Sequence, residues 1–177
     1  MRQPEPGMRI SEYILERPLG QGSFAEVWLA RHHVWRDFFV AVKIARAEEF
    51  VRYLRREGLI LHRLKGPHVV ATLGLDPDHD PPYMVCEYVS GGNLRSLLER
   101  EGRLEPLRAL KILEECLLGL AEAHRHGIIH RDLKPENIFL EEGYVKVGDY
   151  GLSKHISLSS PGKQTVSLGT VHYMAPE

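Results

Sequence analysis

The chain has 177 residues, 43% of them hydrophobic, which allows one domain or two small ones around a sizeable core. Its 23 Lys+Arg nearly balance 24 Asp+Glu, which excludes the strong field of a nucleic-acid binder or a partner of polyanions. Two cysteines, Cys86 and Cys116, make neither a disulfide framework nor a zinc site, and they fit a reducing compartment. Met1 to Gly7 is polar and proline-containing, with no apolar signal core, and no apolar run is long enough to span a bilayer. The expectation is a soluble cytoplasmic protein.

Residues 1–12 read as an N-terminal tail. Tyr13 to Leu19 and Ala25 to Ala30 predict two strands around a glycine turn, in the manner of a hairpin. Phe38 to Ile44 is β-branched and aromatic, a third strand. Ala47 to Leu64 predicts a helix, because Phe50, Leu54, Leu61 and Leu64 share one stripe. Glu57 fills the gap in that stripe, so its carboxylate faces inward and needs a partner. Val69 to Leu75 and Tyr83 to Val89 predict two more strands across an Asp/Pro/His-rich turn. Ser90-Gly91-Gly92 breaks the pattern and divides the chain into 13–89 and 90–177.

The second part is helical first. Asn93 to Glu101 predicts a short helix. Pro106 to His126 predicts a longer one, with Leu110, Leu113, Leu117, Leu120 and His124 on one face. Ile128-Ile129, Ile138 to Leu140 and Val145 to Val147 read as short strands and loops. Lys154 to Thr170 is rich in Ser, Gly and Lys and lacks periodicity, as a surface loop does.

Gly20 and Gly22 let a backbone approach phosphate oxygens with no Cβ in the way. Alone they are a weak signal, and a plain hairpin turn is then the better account of them. Downstream, Val40-Ala41-Val42-Lys43 puts Ala41 and Lys43 on one strand face. An inward lysine needs compensation, and Glu57 is the obvious partner; the alternative is a surface lysine and a surface glutamate. The stretch His130-Arg131-Asp132-Leu133-Lys134-Pro135-Glu136-Asn137 sets an acid, a cation and a carboxamide at fixed offsets. Asp149-Tyr150-Gly151 follows, and the sequence ends in Met174-Ala175-Pro176-Glu177.

In order and spacing these motifs resemble the eukaryotic-like (Hanks-type) serine/threonine protein kinases, from the glycine loop at 20–27 to the last residue. The resemblance implies an α+β, bilobal fold. A complete N-terminal lobe, an antiparallel sheet plus one helix, would occupy 13–89. A mainly helical C-terminal lobe would carry a catalytic loop at 130–137 and an activation loop at 149–177, truncated after Ala-Pro-Glu. The implied cofactors are ATP and Mg²⁺, and the implied reaction is phosphoryl transfer to serine or threonine hydroxyls of a protein substrate.

The family's roles carry over residue by residue. Gly20, Gln21, Gly22 and Ser23 would cover the phosphates. Leu19, Val27, Ala41 and Phe139 would sandwich the adenine, with the Glu87 carbonyl and Val89 N–H holding its edge and Cys86 behind it. Lys43 would reach the α- and β-phosphates, steadied by Glu57. Asp132 would orient the attacking hydroxyl and take its proton, while Lys134 neutralises charge on the transferring group. Lysine at 134 marks the serine/threonine branch. Asn137 and Asp149 would offer hard oxygen ligands to Mg²⁺, and His130 would be structural.

Arg131 would pair with a phosphate on Thr165 or Ser167, and Thr170 would contact Asp132 and Lys134. An unregulated polar loop is the alternative. Two positions depart from the family pattern: Ala25 stands for the third glycine, and Tyr150 for the usual phenylalanine. A buried Tyr150 hydroxyl needs a polar partner, and the exchange is expected to tune an active-to-inactive balance.

The resemblance stops at Glu177, which would leave one apolar side of the Pro106–His126 helix for a partner to cover. The preferred reading is a piece of a longer polypeptide. The others are a natural truncation completed by a second chain, and a nucleotide-binding or scaffold module with little turnover. A small-molecule kinase is disfavoured, because Gly169 to Glu177 resembles the protein-substrate loop.

Overall fold

The computed structural model describes residues 3–22, 24–141, 143–150 and 173, apart from the Glu57 side chain. The chain forms two compact units, Met1–Arg63 with Ala71–Tyr88, and Leu64–Val70 with Val89–Glu177.

The first unit is an antiparallel sheet of six strands in the order β1-β2-β3-β4-β6-β5. Its strands are β1 (Arg9–Ile10), β2 (Tyr13–Gln21), β3 (Ala25–His32), β4 (Phe39–Ala45), β5 (Thr72–Asp76) and β6 (Tyr83–Glu87). Register sorts their side chains into two faces. Trp28 lies opposite Val42, and Val42 opposite Val85; these join Ile10, Leu15 and Ile44 in a buried cluster. Val27 lies opposite Lys43 and Leu29 opposite Ala41, so these four residues share the other face. Helix α1 (Glu48–Arg63) packs on β5 and β4. Phe50, Leu54 and Leu61 are buried on it, and Leu64, just past its end, is buried too, as their spacing predicts. Glu48 and Glu49 open the helix and His62 and Arg63 close it, which suits its dipole.

Three expectations are corrected. The stretch read as a tail contains β1, which pairs with β2, and Ile10 is fully buried. Two residues are too few to show a period. The strand expected from Val69 begins only at Thr72. Val69 and Val70 turn to the second unit instead, where Val70 N–H donates to the Val147 carbonyl at 2.9 Å. Ile128-Ile129 is no strand, and Ile129 is exposed.

The second unit holds helices α2 (Leu94–Glu101) and α3 (Pro106–Arg125) and a hairpin of β7 (Ile138–Glu141) and β8 (Tyr144–Val147). The Asn93 side chain caps α2 by accepting from Ser96 N–H, and the Glu105 side chain caps α3 by accepting from Arg108 N–H. Proline at the first position of α3 forfeits no intrahelical bond.

Helix α3 packs on β8, and its buried residues are Glu115, Cys116, Gly119 and Ala123, none of them a leucine. The Glu115 carboxylate accepts from Val145 N–H at 2.6 Å. An added Cβ at Gly119 would lie 2.3 Å from the His68 carbonyl oxygen, so only glycine permits this approach. Leu110, Leu113 and Leu117 are more than half exposed, so most of the leucine stripe is uncovered among the described residues, while Leu120 is half-buried. No described helix is long and apolar enough to cross a membrane.

Candidate functional site

The first unit carries the residues assigned to the nucleotide. Gly20 pairs with Val27 and Gln21 with Glu26 at the end of the β2–β3 hairpin. Gly22 N–H donates to the Ala25 carbonyl at 2.9 Å, closing the turn. Ser23 lies outside the described residues. Leu19 is exposed at 38%, and Val27 and Ala41 are half-buried.

Ala41 lies opposite Cys86, and Cys86 opposite Thr72, so one row crosses three strands below Lys43. Burial pulls the Lys43 amine below the usual lysine range, with Cys86 beside it pushing the other way. The Cys86 thiol is pushed up by burial, against the pull of Lys43 and of a hydrogen bond with Thr72. That thiol is inert as a nucleophile in this setting. Glu87 closes the strand: its N–H donates to the Ala71 carbonyl at 2.9 Å, and its carboxylate accepts from Ala71 N–H at 3.2 Å. Glu57 lies on α1, but its side chain, and with it the expected pair with Lys43, falls outside the described residues.

The second unit carries Val89, buried, and the residues assigned to transfer. Lys134 Nζ lies 2.9 Å from Asp132 Oδ2, and both side chains are about a quarter exposed. The loop is built from backbone bonds. Asn137 Nδ2 donates to the Asp132 carbonyl at 2.8 Å, and Asn137 N–H to the Lys134 carbonyl at 2.9 Å. Pro135 starts the 3-10 turn that brings Asn137 back under Asp132.

Gly148 ties this loop to Asp149. Its N–H donates to the Asn137 carbonyl at 2.9 Å, and its carbonyl accepts from His130 Nε2 at 2.8 Å. Asn137 and Asp149 are thereby brought to neighbouring positions. Phe139 packs at the same point: a Cβ on Gly148 would meet its ring at 2.9 Å. Sequence reasoning passed over Gly148, and its only signal was a glycine immediately before Asp149. Arg131 and Asp149 have φ of 65° and 62°, left-handed values that cost a non-glycine residue about 1–3 kcal/mol each. Both positions hold this conformation against its cost, so their surroundings must fix it.

His130, expected to be structural, is buried. With Nε2 donating to Gly148, its Nδ1 accepts from Asp132 N–H at 3.3 Å, so the neutral ring fits both bonds. Burial holds its pKa below the ordinary histidine value; the Gly148 bond and Asp132 oppose that, and Lys134 reinforces it. The unfolded chain therefore takes up this proton at higher pH than the folded one. Stability is full above about pH 6.5 and falls as pH drops through the folded pKa. Urea melts between pH 5 and 8 should show His130→Gln losing part of this acid-side decline; parallel curves for the two proteins would reject the assignment.

Tyr150 finds the partner its burial demands. Its hydroxyl donates to the Gly119 carbonyl at 3.3 Å, and its ring packs on His130 with centroids 4.9 Å apart. Thr165, Ser167 and Thr170 lie outside the described residues.

Comparison with known proteins adds a family. A model described as protein kinase domain matches residues 13–177. The chain is 38% identical to serine/threonine-protein kinase PrkC of Bacillus subtilis, over 97% of this chain and 27% of the relative. It is 35% identical to serine/threonine-protein kinase PknA of Corynebacterium glutamicum, over 94% of this chain and 38% of the relative. The chain thus spans about a quarter to two fifths of the length of these curated relatives.

Among solved structures, a point mutant of the Mycobacterium tuberculosis PknI kinase domain aligns with a TM-score of 0.71 over 86% of this chain and 64% of that one. At 24% identity this likeness speaks for the fold alone. Rad53 (residues 1–466) in complex with AMP-PNP aligns with a TM-score of 0.69 at 31% identity, over 81% of this chain and 39% of that one.

Proposed function

The chain belongs to the protein kinase domain family, and from that premise we propose that it transfers the γ-phosphoryl group of ATP to serine or threonine hydroxyls of protein substrates. The observation that carries this reading is the Asp132–Lys134 pair, 2.9 Å apart in a loop that Asn137 and Gly148 help to shape. Phosphoryl transfer needs positioning and charge neutralisation more than covalent help.

Asp132 supplies an acceptor for the substrate hydroxyl's proton, and Lys134 supplies a cation beside it. Asn137 and Asp149 fit Mg²⁺ by donor chemistry. The Asn137 amide nitrogen is spent on the Asp132 carbonyl, which leaves its oxygen as the end for a cation, and Asp149 adds a carboxylate. When bound, the ion would neutralise charge on the nucleotide phosphates. On the first unit, Lys43 reaches the phosphates from the same sheet face as Ala41 and Val27, which take the adenine together with Leu19. By the family resemblance, Gly20, Gln21, Gly22 and Ser23 would provide the backbone over the phosphates, Glu57 would partner Lys43, and the roles toward adenine fall to Glu87 in the first unit and to Val89 and Phe139 in the second. The AMP-PNP bound to Rad53 supports a nucleotide for this chain also.

The proposal assigns nucleotide binding to 13–89 and transfer to 90–177. It extends to a cytoplasmic setting, supported by two free buried thiols, and to a protein partner on the exposed leucines of α3. Melting of the whole chain with and without Mg²⁺-ATP tests the nucleotide half. Ligand at about a hundred times its Kd adds about 2.7 kcal/mol, which for a chain of this size raises the midpoint by roughly 5–10 °C. An unmoved midpoint would reject nucleotide binding. Phosphorylation of a serine or threonine peptide by the same preparation then separates an enzyme from a binding module.

A further inference from the structure

We propose that the Tyr150 hydroxyl is a positioning group for Mg²⁺-nucleotide binding, because its bond to the Gly119 carbonyl fixes the Asp149 turn on helix α3. The inference rests on the kinase reading and adds a residue to it. Tyr150 follows directly on Asp149, whose φ of 62° is costly and persists only if its neighbours are held. On the N-terminal side the hold is Gly148, gripped through N–H by Asn137 and through its carbonyl by His130. On the C-terminal side the hold includes Tyr150, through its hydroxyl's bond to the Gly119 carbonyl and its ring's contact with His130.

The acceptor is well placed. Gly119 sits where α3 approaches the His68 carbonyl so closely that no Cβ fits, so this stretch of helix has no freedom to drift from the hydroxyl. A helical carbonyl has a second lone pair, so accepting from Tyr150 need not break the helix ladder. Phenylalanine would keep the ring, its contact with His130 and nearly all of its volume, and would lose the hydroxyl that bonds Gly119. Asp149 would then spend part of its time outside the metal-competent geometry, and apparent Mg²⁺ affinity falls by that fraction. A net hydrogen bond is worth about fivefold in such an equilibrium.

The test compares the whole chain with Tyr150→Phe, titrating ATP affinity against Mg²⁺ by calorimetry far below the melting midpoint. Equal affinity for metal-free ATP is expected, with the Mg²⁺-promoted gain reduced about fivefold and faster hydrogen exchange at the Gly148 amide. An unchanged Mg²⁺-promoted gain, whatever happens to the melting midpoint, would overturn the proposal and leave a bond of structural value only. A native chain that binds no ATP would overturn the kinase reading and this inference together. A native chain with a normal Mg²⁺ response beside an unaltered variant overturns the inference alone.

Discussion

Asp132→Asn is expected to lower kcat for peptide phosphorylation by about 10²–10⁴-fold while leaving the Mg²⁺-ATP melting shift in place. Asparagine has the shape of aspartate and lacks only the basic oxygen, so the change removes the proton acceptor and little else. Two of the bonds that shape the loop run to the Asp132 backbone and not to its carboxylate. Asn137 Nδ2 reaches the backbone carbonyl of Asp132, and His130 Nδ1 accepts from its backbone N–H. The carboxylate's contact with Lys134 at 2.9 Å belongs to a pair about a quarter exposed, where loss of a charge costs on the order of 1 kcal/mol or less. Radiolabelled transfer to a serine peptide, with the melt run in parallel, checks both halves. Transfer at the native rate would remove Asp132 from the mechanism, and loss of the ATP shift would show that it serves binding.

That expectation was legible in the sequence, because the catalytic stretch is a contiguous run whose residue types state their chemistry. The sheet was legible for a related reason. Alternation in β3 and β4 divides Trp28, Ala30, Val40 and Val42 from Val27, Leu29, Ala41 and Lys43, and register preserves that division across the sheet. Helix α1 shows its buried stripe because Phe50, Leu54 and Leu61 are large, and large apolar residues mark the face that needs covering.

Helix α3 defeats the same logic. Its conspicuous stripe is leucine, yet its buried face is Glu115, Cys116, Gly119 and Ala123. Close approach selects small residues, and small residues carry almost no hydropathy signal. Strand β1 hid for want of length. Tyr150 announced a need for a polar partner, but Gly119 lies 31 positions away, and nothing local identifies an acceptor at that distance. The same holds for Gly148, whose role is to offer a peptide group to two partners rather than a side chain.

Gly119→Ala is expected to destabilise the fold by about 2–4 kcal/mol, against its helix propensity. Alanine in a helix interior should gain about 1 kcal/mol over glycine. Here the added Cβ would lie 2.3 Å from the His68 carbonyl oxygen, 3.2 Å from its carbon and 3.3 Å from a Val147 methyl. Two of these three atoms are backbone and cannot swing aside as a side chain would. The His68 carbonyl also accepts from Val147 N–H at 3.0 Å, and Val147 in turn accepts from Val70 N–H at 2.9 Å. Relieving the clash therefore disturbs β8 and the segment joined to it.

Gly74→Ala is the matched control: no atom lies within 4 Å of its added Cβ, so it should be neutral or stabilise by up to about 1 kcal/mol. Urea unfolding of both variants reads the difference. A Gly119→Ala chain as stable as the native one would mean that α3 stands farther from His68 than this close approach implies. The same displacement moves the Gly119 carbonyl away from the Tyr150 hydroxyl. A destabilised but folded Gly119→Ala chain should therefore share the weakened Mg²⁺ response of Tyr150→Phe, through an acceptor atom that neither substitution removes.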